Sequence, residues 1–392
     1  MITKYRIATA LTAAMMIGCA PAASAFETEA SHAVIMDHDS GIVLFSKNAD
    51  QPMIPASMTK MMTAYMVFER LADGRLSPDD EFSVSENAWR KGGTTSGGST
   101  MFLEPNSKVS VANLLRGIIV VSGNDACIVV AENISGSEEA FADEMTQTAR
   151  RLGLTSASFR NATGLNEDGH EISAADLAEL ARLTIQNFPE LYEIYDIPEF
   201  EWNGIRQPNR NPLLRRFEGA DGLKTGHLSA SGYGLVGSAV VDGKRRIIVI
   251  NGTESETARA NVSERIMRSA FREFAVATPV SPGVELARAP VWLGKADSVG
   301  LAVSEEIQFG YEISDKARIK GEIILKDGLV APVDEGTQVG TFVLTSGEGL
   351  RQEVPVVTTE SVGRIGFLSQ AFEGLATVLN PSQTPETASS DS

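Results

Sequence analysis

The stretch Pro55-Ala56-Ser57-Met58-Thr59-Lys60 runs straight into Met61-Met62-Thr63-Ala64-Tyr65-Met66-Val67-Phe68-Glu69-Arg70-Leu71. Its apolar density predicts a helix over about 57–71, ended by Asp73-Gly74. Positions three apart share a helix face, so Ser57 and Lys60 are placed to touch. Two readings are open. Serine is a favoured residue at helix starts, where its hydroxyl satisfies a free backbone N–H. Alternatively, Ser57 is a nucleophile and Lys60 its base.

The second reading makes demands that can be looked for. A serine hydroxyl is a weak nucleophile unless a base lies in hydrogen-bond reach. Lysine is a base only when neutral, which asks its surroundings for roughly 4 kcal/mol against an ordinary pKa near 10.4. Burial and a second nearby cation both push that way. A helix start adds free N–H groups and a positive dipole end to receive developing negative charge. On these six residues alone, the cap reading is the stronger.

Two further stretches change the balance. Ser122-Gly123-Asn124 interrupts the apolar segments Leu114–Val121 and Ala126–Val130, and polar groups set in such flanks need partners or a purpose. Lys224-Thr225-Gly226 falls inside a predicted strand, where Gly226 permits close backbone approach. Each is weak singly. Taken in the order SxxK, SxN, KTG, with Ser57 to Ser122 spanning 65 residues and Ser122 to Lys224 spanning 102, the set is specific.

Composition removes other classes. The 392 residues, 43% hydrophobic and 22% charged, suit a soluble chain of more than one domain. Lys4 and Arg6, the apolar run Ile7–Ile17 and Ala23-Ser24-Ala25 read as a secretory signal cut after Ala25, with Met16-Ile17-Gly18-Cys19 as a second-ranked lipoprotein site. Losing two cations and no acid takes the formal charge from −17 to −19. No basic patch is visible, which argues against nucleic acid. Cys127 is then the only cysteine, so no internal disulfide forms. Four histidines without an HxxxH or CxxC pattern, and the lack of a GxSxG elbow or a phosphate loop, argue against metal, cofactor and nucleotide chemistry.

Outward from the motifs, His32–Phe45 reads as a hairpin turning at Asp37–Gly41. Residues 86–107, with Gly92-Gly93-Thr94-Thr95-Ser96-Gly97-Gly98, read as a long loop. Helices are predicted near 111–120, 124–134, from Ser173 on, and over 259–274; 222–238 and 245–251 are predicted strands. At Thr278-Pro279 the pattern becomes short β-branched runs (299–303, 323–325, 339–344, 354–357) divided by Gly-containing turns. Ile365, Leu368, Phe372, Leu375 and Leu379 then mark a one-sided amphipathic helix, which either docks on the β domain or lies in a membrane surface. The expected divisions are a leader at 1–25, a catalytic domain at 26–276, a β-rich domain at 277–360, the helix at 361–380 and a disordered tail at 381–392.

The whole chain after the leader resembles the low-molecular-weight penicillin-binding proteins of the D-alanyl-D-alanine carboxypeptidase family, the S11 serine peptidases. Beyond the three motifs, the likeness rests on Ser85-Glu86-Asn87-Ala88-Trp89, Met101-Phe102-Leu103, Leu115–Ile118, Gln207-Pro208-Asn209-Arg210-Asn211, Asp221–His227 with Gly232-Tyr233, and Lys326–Val343. The resemblance implies an α/β (α+β) fold of the penicillin-recognising, β-lactamase-like type. An antiparallel sheet flanked by helices is then followed by a small all-β domain that spaces the site from the membrane.

It also implies roles. Ser57 attacks the carbonyl of the penultimate D-Ala of a peptidoglycan stem peptide, Lys60 takes its proton, and terminal D-Ala leaves. Ser122 relays a proton to the leaving amine, while Asn124 holds the substrate amide and Lys60. Lys224 adds positive potential, and Thr225 and Arg210 are candidate ligands of the terminal carboxylate. Backbone N–H groups of Ser57 and His227, the latter beside Gly226, form the oxyanion hole. β-Lactam antibiotics are expected to acylate Ser57. The implied address is the periplasm, with a peripheral hold on the inner membrane through the amphipathic helix.

Where some relatives carry His before Gly-Leu, this chain has Thr163-Gly164-Leu165, so no catalytic histidine is expected there. His170 reads as a solvated turn residue, Asp176 as a helix cap and Cys127 as a small buried apolar residue. A β-lactamase would need an E-x-x-x-N pattern, and Ile occupies position 194, four after Glu190. A non-catalytic wall-binding scaffold has no reason to keep all three motifs.

Overall fold

A computed structural model of the chain describes residues 4–5, 26–345 and 351–366. They fall into two compact units, Ala25–Phe274 and, with Lys4–Tyr5, the residues from Ala275 on. The amphipathic stretch from Phe367 and the tail lie outside the described residues.

In the first unit, α1 (Lys60–Ala72), α2 (Glu86–Gly92), α3 (Val111–Ile119), α4 (Asn124–Ser135), α5 (Glu138–Arg151), α6 (Ala174–Asn187) and α7 (Glu256–Arg272) surround an antiparallel sheet. Five of these helices start on a serine. Ser85, Ser110, Ser137, Ser173 and Ser255 each accept the N–H of the residue three further on, a cap worth about 1 kcal/mol. Asp176 is therefore not the cap of α6: its amide donates to Ser173 Oγ at 3.1 Å, and its carboxylate accepts from Ser156 N and Oγ at 2.8 and 2.6 Å.

The sheet is formed by β1 (His32–Asp37), β2 (Val43–Lys47), β3 (Ala220–Leu228), β4 (Gly232–Val241) and β5 (Lys244–Thr253), in the order β3-β4-β5-β1-β2. Val34, Met36, Ile247 and Val249 join the large cluster built on α1, α3, α4 and α6. The intervening Ala33, Ile35, Ile248 and Ile250 are equally buried, so the central strands are covered on both faces. α4 is buried from Asn124 to Ala131 without a break, which makes it a core helix rather than an amphipathic one.

The structure departs from the sequence reading in several places. Residues 222–238 are two strands, not one, reversed at Ser229-Ala230-Ser231. The expected loop at 86–107 contains α2 and a 3₁₀ turn at Thr94–Ser96, and α5 was not foreseen. α7 ends at Arg272, and Phe274 turns its ring onto Phe26 and Phe45, with centroids 5.6 and 6.3 Å away.

Among the described residues the second unit is all-β apart from a 3₁₀ segment at Ile313–Arg318. Its strands are β6 (Phe274–Val280), β7 (Ala287–Trp292), β8 (Ser298–Val303), β9 (Ile307–Glu312), β10 (Lys320–Leu325), β11 (Leu329–Val330), β12 (Gln338–Thr345) and β13 (Arg351–Thr358). One sheet runs β10-β12-β13-β8-β7-β11, and β6 pairs with β9. Of the expected leader, Lys4 and Tyr5 pair with Ile324 and Ile323 of β10. Val299, Leu301, Val303, Phe309, Phe342 and Val356 carry its core. Residues 361–366 are not helical: Val362 and Arg364 bridge to Val333 and Gly294. Among the described residues no helix is long and apolar enough to cross a membrane.

Candidate active site

Ser57 does not cap a helix. It lies in a 3₁₀ turn, Ala56–Thr59, that leads into α1 at Lys60, and neither helix start has a side-chain cap. The preceding Ala56 has φ +49°, a left-handed conformation that a non-glycine residue holds only when its surroundings enforce it. Ser57 Oγ instead faces Lys60 Nζ at 2.9 Å.

Lys60 is 1% exposed. Its Nζ donates to Asn124 Oδ1 at 2.8 Å and to the Thr163 carbonyl at 2.6 Å. Burial pushes its ammonium below the ordinary lysine range, while Asp125 and Glu138 pull the other way. Two of the three partners are carbonyl oxygens, which can only accept. A neutral Lys60 has two N–H groups for those two carbonyls, and its lone pair is left facing Ser57 Oγ.

Behind this pair stands a second. Ser122, between α3 and α4, has φ +63°, and its Oγ accepts from Lys224 Nζ at 2.9 Å. Lys224 comes from edge strand β3 and is 2% exposed. Burial lowers its pKa well below the usual lysine value, and the charges of Lys60, Arg259 and Arg210 lower it further. The repulsion expected between the two lysines thus acts on Lys224, with burial the first cause for both.

Close contact between β3 and the Ser57 turn depends on Gly226. A Cβ there would lie 2.7 Å from the Pro55 carbonyl and 3.2 Å from Ala56 Cβ. Thr225 is buried; the ring of His227, next along, stacks on Tyr233 with centroids 3.8 Å apart. Arg210 is exposed, and its guanidinium donates to Gln207 Oε1 at 3.0 Å.

Several residues of this neighbourhood went unassigned in the sequence. Asp125 is fully buried and accepts from Thr100 Oγ1 at 2.7 Å, Met101 N at 2.8 Å and Leu103 N at 3.1 Å, tying residues 100–103 to the start of α4. Asn161 Oδ1 accepts from Thr163 N and Gly164 N, folding the turn that presents the Thr163 carbonyl to Lys60. His170 is 1% exposed, not solvated. Cys127 is buried as expected, its thiol pushed up to about 12 by burial. Among the described residues no group of three or more His, Cys, Asp or Glu is placed to hold a metal ion.

A serine faced by a buried lysine, backed by a second serine–lysine pair and walled by a sheet edge, is the constellation of a serine acyl-transfer enzyme of the penicillin-recognising fold. Comparison with known proteins takes this further. Residues 19–255 match the family described as D-alanyl-D-alanine carboxypeptidase, peptidase S11, and residues 274–364 match the penicillin-binding protein 5 C-terminal domain. The carboxypeptidase DacC of Escherichia coli K12 is 37% identical over 87% of this chain and 86% of its own. The crystal structure of the carboxypeptidase DacD from Francisella tularensis superposes with a TM-score of 0.77 at 32% identity, covering 87% of this chain and 95% of that one. Penicillin-binding protein 5 from Haemophilus influenzae gives 0.69 at 34% identity over 88% and 100%. The chain belongs to the D-alanyl-D-alanine carboxypeptidase family of S11 serine peptidases, the low-molecular-weight penicillin-binding proteins.

Proposed function

We infer that this chain is a serine-type carboxypeptidase that removes the terminal D-Ala from peptidoglycan stem peptides ending in D-Ala-D-Ala, with Ser57 as nucleophile. The observation that carries the reading is the trio of oxygens around Lys60 Nζ. The Asn124 and Thr163 carbonyls occupy the two N–H groups of the neutral amine, so its lone pair meets Ser57 Oγ at 2.9 Å.

From there the steps follow. Lys60 takes the Ser57 proton as Oγ bonds to the penultimate D-Ala carbonyl. The N–H groups of Ser57 and His227 receive the oxyanion, each such donor being worth about 3–4 kcal/mol. As the C–N bond breaks, Ser122, hydrogen-bonded to Lys224, relays the proton taken by Lys60 to the leaving D-Ala nitrogen, which returns Lys60 to its neutral form. Thr225, beside Gly226, and Arg210 hold the terminal carboxylate, and Lys224 supplies positive potential behind them. Water then attacks the acyl-enzyme, giving its proton to the again-neutral Lys60, which hands it to Ser57 Oγ as the acyl C–O bond breaks. A β-lactam enters by the same first step, and its leaving group stays tethered in the site.

The leader composition supports export to the periplasm. A peripheral hold on the membrane through 367–380 is proposed from its one-sided apolar pattern alone, and comparing the cellular fractions of full-length protein and protein lacking residues 367–392 tests it. The central test is release of free D-Ala from a pentapeptide, run beside labelling with a reporter penicillin. Release with a long-lived adduct on Ser57, both lost in Ser57→Ala, is the expected outcome. Rapid penicillin hydrolysis without a trapped adduct would make the protein a β-lactamase. Penicillin binding with no D-Ala release would make it a scaffold.

A further inference from the structure

His170 has no role in the chemistry derived so far, yet it is buried against the nucleophile turn. Its Nδ1 accepts from Arg160 N at 3.0 Å, so the ring proton sits on Nε2. Nε2 in turn lies 2.8 Å from Thr59 Oγ1 and donates to it. Thr59 is the residue immediately before Lys60 and closes the 3₁₀ turn that holds Ser57. Arg160 opens the segment whose Thr163 carbonyl grips Lys60 Nζ at 2.6 Å. The imidazole therefore spans two chain segments far apart in sequence, one carrying Ser57 and Lys60, the other an acceptor for Lys60.

The same junction shows how little slack it has. A Cβ on Gly164 would lie 1.9 Å from the Ala56 carbonyl and 2.8 Å from Thr59 Oγ1. Thr63 Oγ1 donates to the Ala162 carbonyl at 2.7 Å, a second tie one turn further along α1. Both segments touch Lys60, so the distance between them sets where its lone pair points. Phe159 packs its ring edge-on at 5.7 Å, which fixes the plane of the imidazole.

We propose that neutral His170 is a positioning residue for acylation, acting through Thr59 to hold the Thr163 carbonyl and the Ser57–Lys60 turn in register. The proposal rests on the reading of Ser57 and Lys60 given above. It assigns His170 no contact with substrate and no proton transfer.

The experiment follows penicillin acylation of the purified full-length chain at several drug concentrations, separating the limiting acylation rate from the half-saturating concentration. His170→Phe keeps a ring but loses both hydrogen bonds. Thr59→Val keeps shape but loses the hydroxyl. Each is expected to lower the limiting rate about tenfold to a hundredfold, as small misplacements of catalytic groups do, with half-saturation unchanged. The double variant is expected to be no slower than the slower single one. His170→Gln, whose amide reaches the Nε2 position, should recover most of the rate. An unchanged limiting rate in Thr59→Val, or multiplying effects in the double variant, would overturn the proposal even if His170→Phe melts early. Ser57→Ala serves as the separate control, because adducts surviving that change would sink the nucleophile assignment instead.

Discussion

Lys224 Nζ and Ser122 Oγ meet at 2.9 Å, although 102 residues separate them in the chain. The contact joins the edge strand β3 to the break between α3 and α4, and so closes the site opposite the Ser57 turn. Lys224 is fully buried and its other bond, to the Thr225 carbonyl, is 3.2 Å long. Replacing it with Met should leave Ser122 without its charged partner and weaken the pull on the substrate carboxylate. The half-saturating peptide concentration should then rise and turnover fall together. A steady-state comparison with Lys224→Arg, which retains charge, separates lost charge from lost fit.

Lys60 has to be neutral to act, and burial already pushes it that way. Acylation should therefore fall on the acid side, as pH drops through the lowered Lys60 pKa. Lys60→Arg, which cannot lose its proton, should slow acylation by about a hundredfold to ten-thousandfold. Asn124→Ala removes an acceptor that favours the charged form, so the acid limb should move to lower pH even as the maximum rate drops. A limb that stays put would show that Asn124 does not govern Lys60.

Gly226→Ala places a methyl group 2.7 Å from the backbone oxygen of Pro55, where no flexible side chain can yield. β3 and the Ser57 turn must separate. The expected cost is about 1–3 kcal/mol of stability, read by denaturant unfolding, together with slow acylation. Gly123→Ala offers a comparison, since its Cβ would meet Asp125 Oδ1 at 2.9 Å and Met101 N at 3.0 Å rather than the nucleophile turn.

Asp125 is the anchor for residues 100–103. Asp125→Ala leaves Thr100 Oγ1 and the Met101 and Leu103 amides without their acceptor in a buried setting. A loss of about 2–4 kcal/mol is expected, since charge-assisted bonds to buried donors are the costly ones to remove. Hydrogen exchange at the Met101 and Leu103 amides should accelerate more than exchange within β5.

The three motifs were legible because their chemistry is local: a residue type, a spacing and an apolar flank. The core helices at 111–119 and 124–135 were legible for the same reason. α5 carried its signal too, with Phe141, Ala142, Met145 and Ala149 all buried, but nine polar residues among its fourteen masked it. α2 was hidden by the glycines that follow it. The reversal at Ser229-Ala230-Ser231 lacks the Asn-Gly or Pro-Gly chemistry that marks a turn, so β3 and β4 read as one strand. His170 was illegible in a deeper sense. Beside Gly169 it looks like a loop residue, and what buries it is Thr59, 111 positions earlier.

That burial has a pH consequence of its own. His170 is held down to about 4, first by desolvation, with Arg160 and Lys60 pushing the same way and Glu167 opposing them. In the unfolded chain it titrates near 6.5. Between those values the unfolded state binds a proton that the folded state refuses, so stability falls as pH drops from about 6.5 to 4 and levels off below. Each pKa unit is worth about 1.36 kcal/mol, which makes this group's share roughly 3 kcal/mol. Denaturant unfolding at pH 7, 5.5 and 4.5 should show the decline in the native chain. His170→Gln has nothing to titrate, so its decline should be shallower by a comparable amount. Equal slopes in the two proteins would place the acid sensitivity elsewhere.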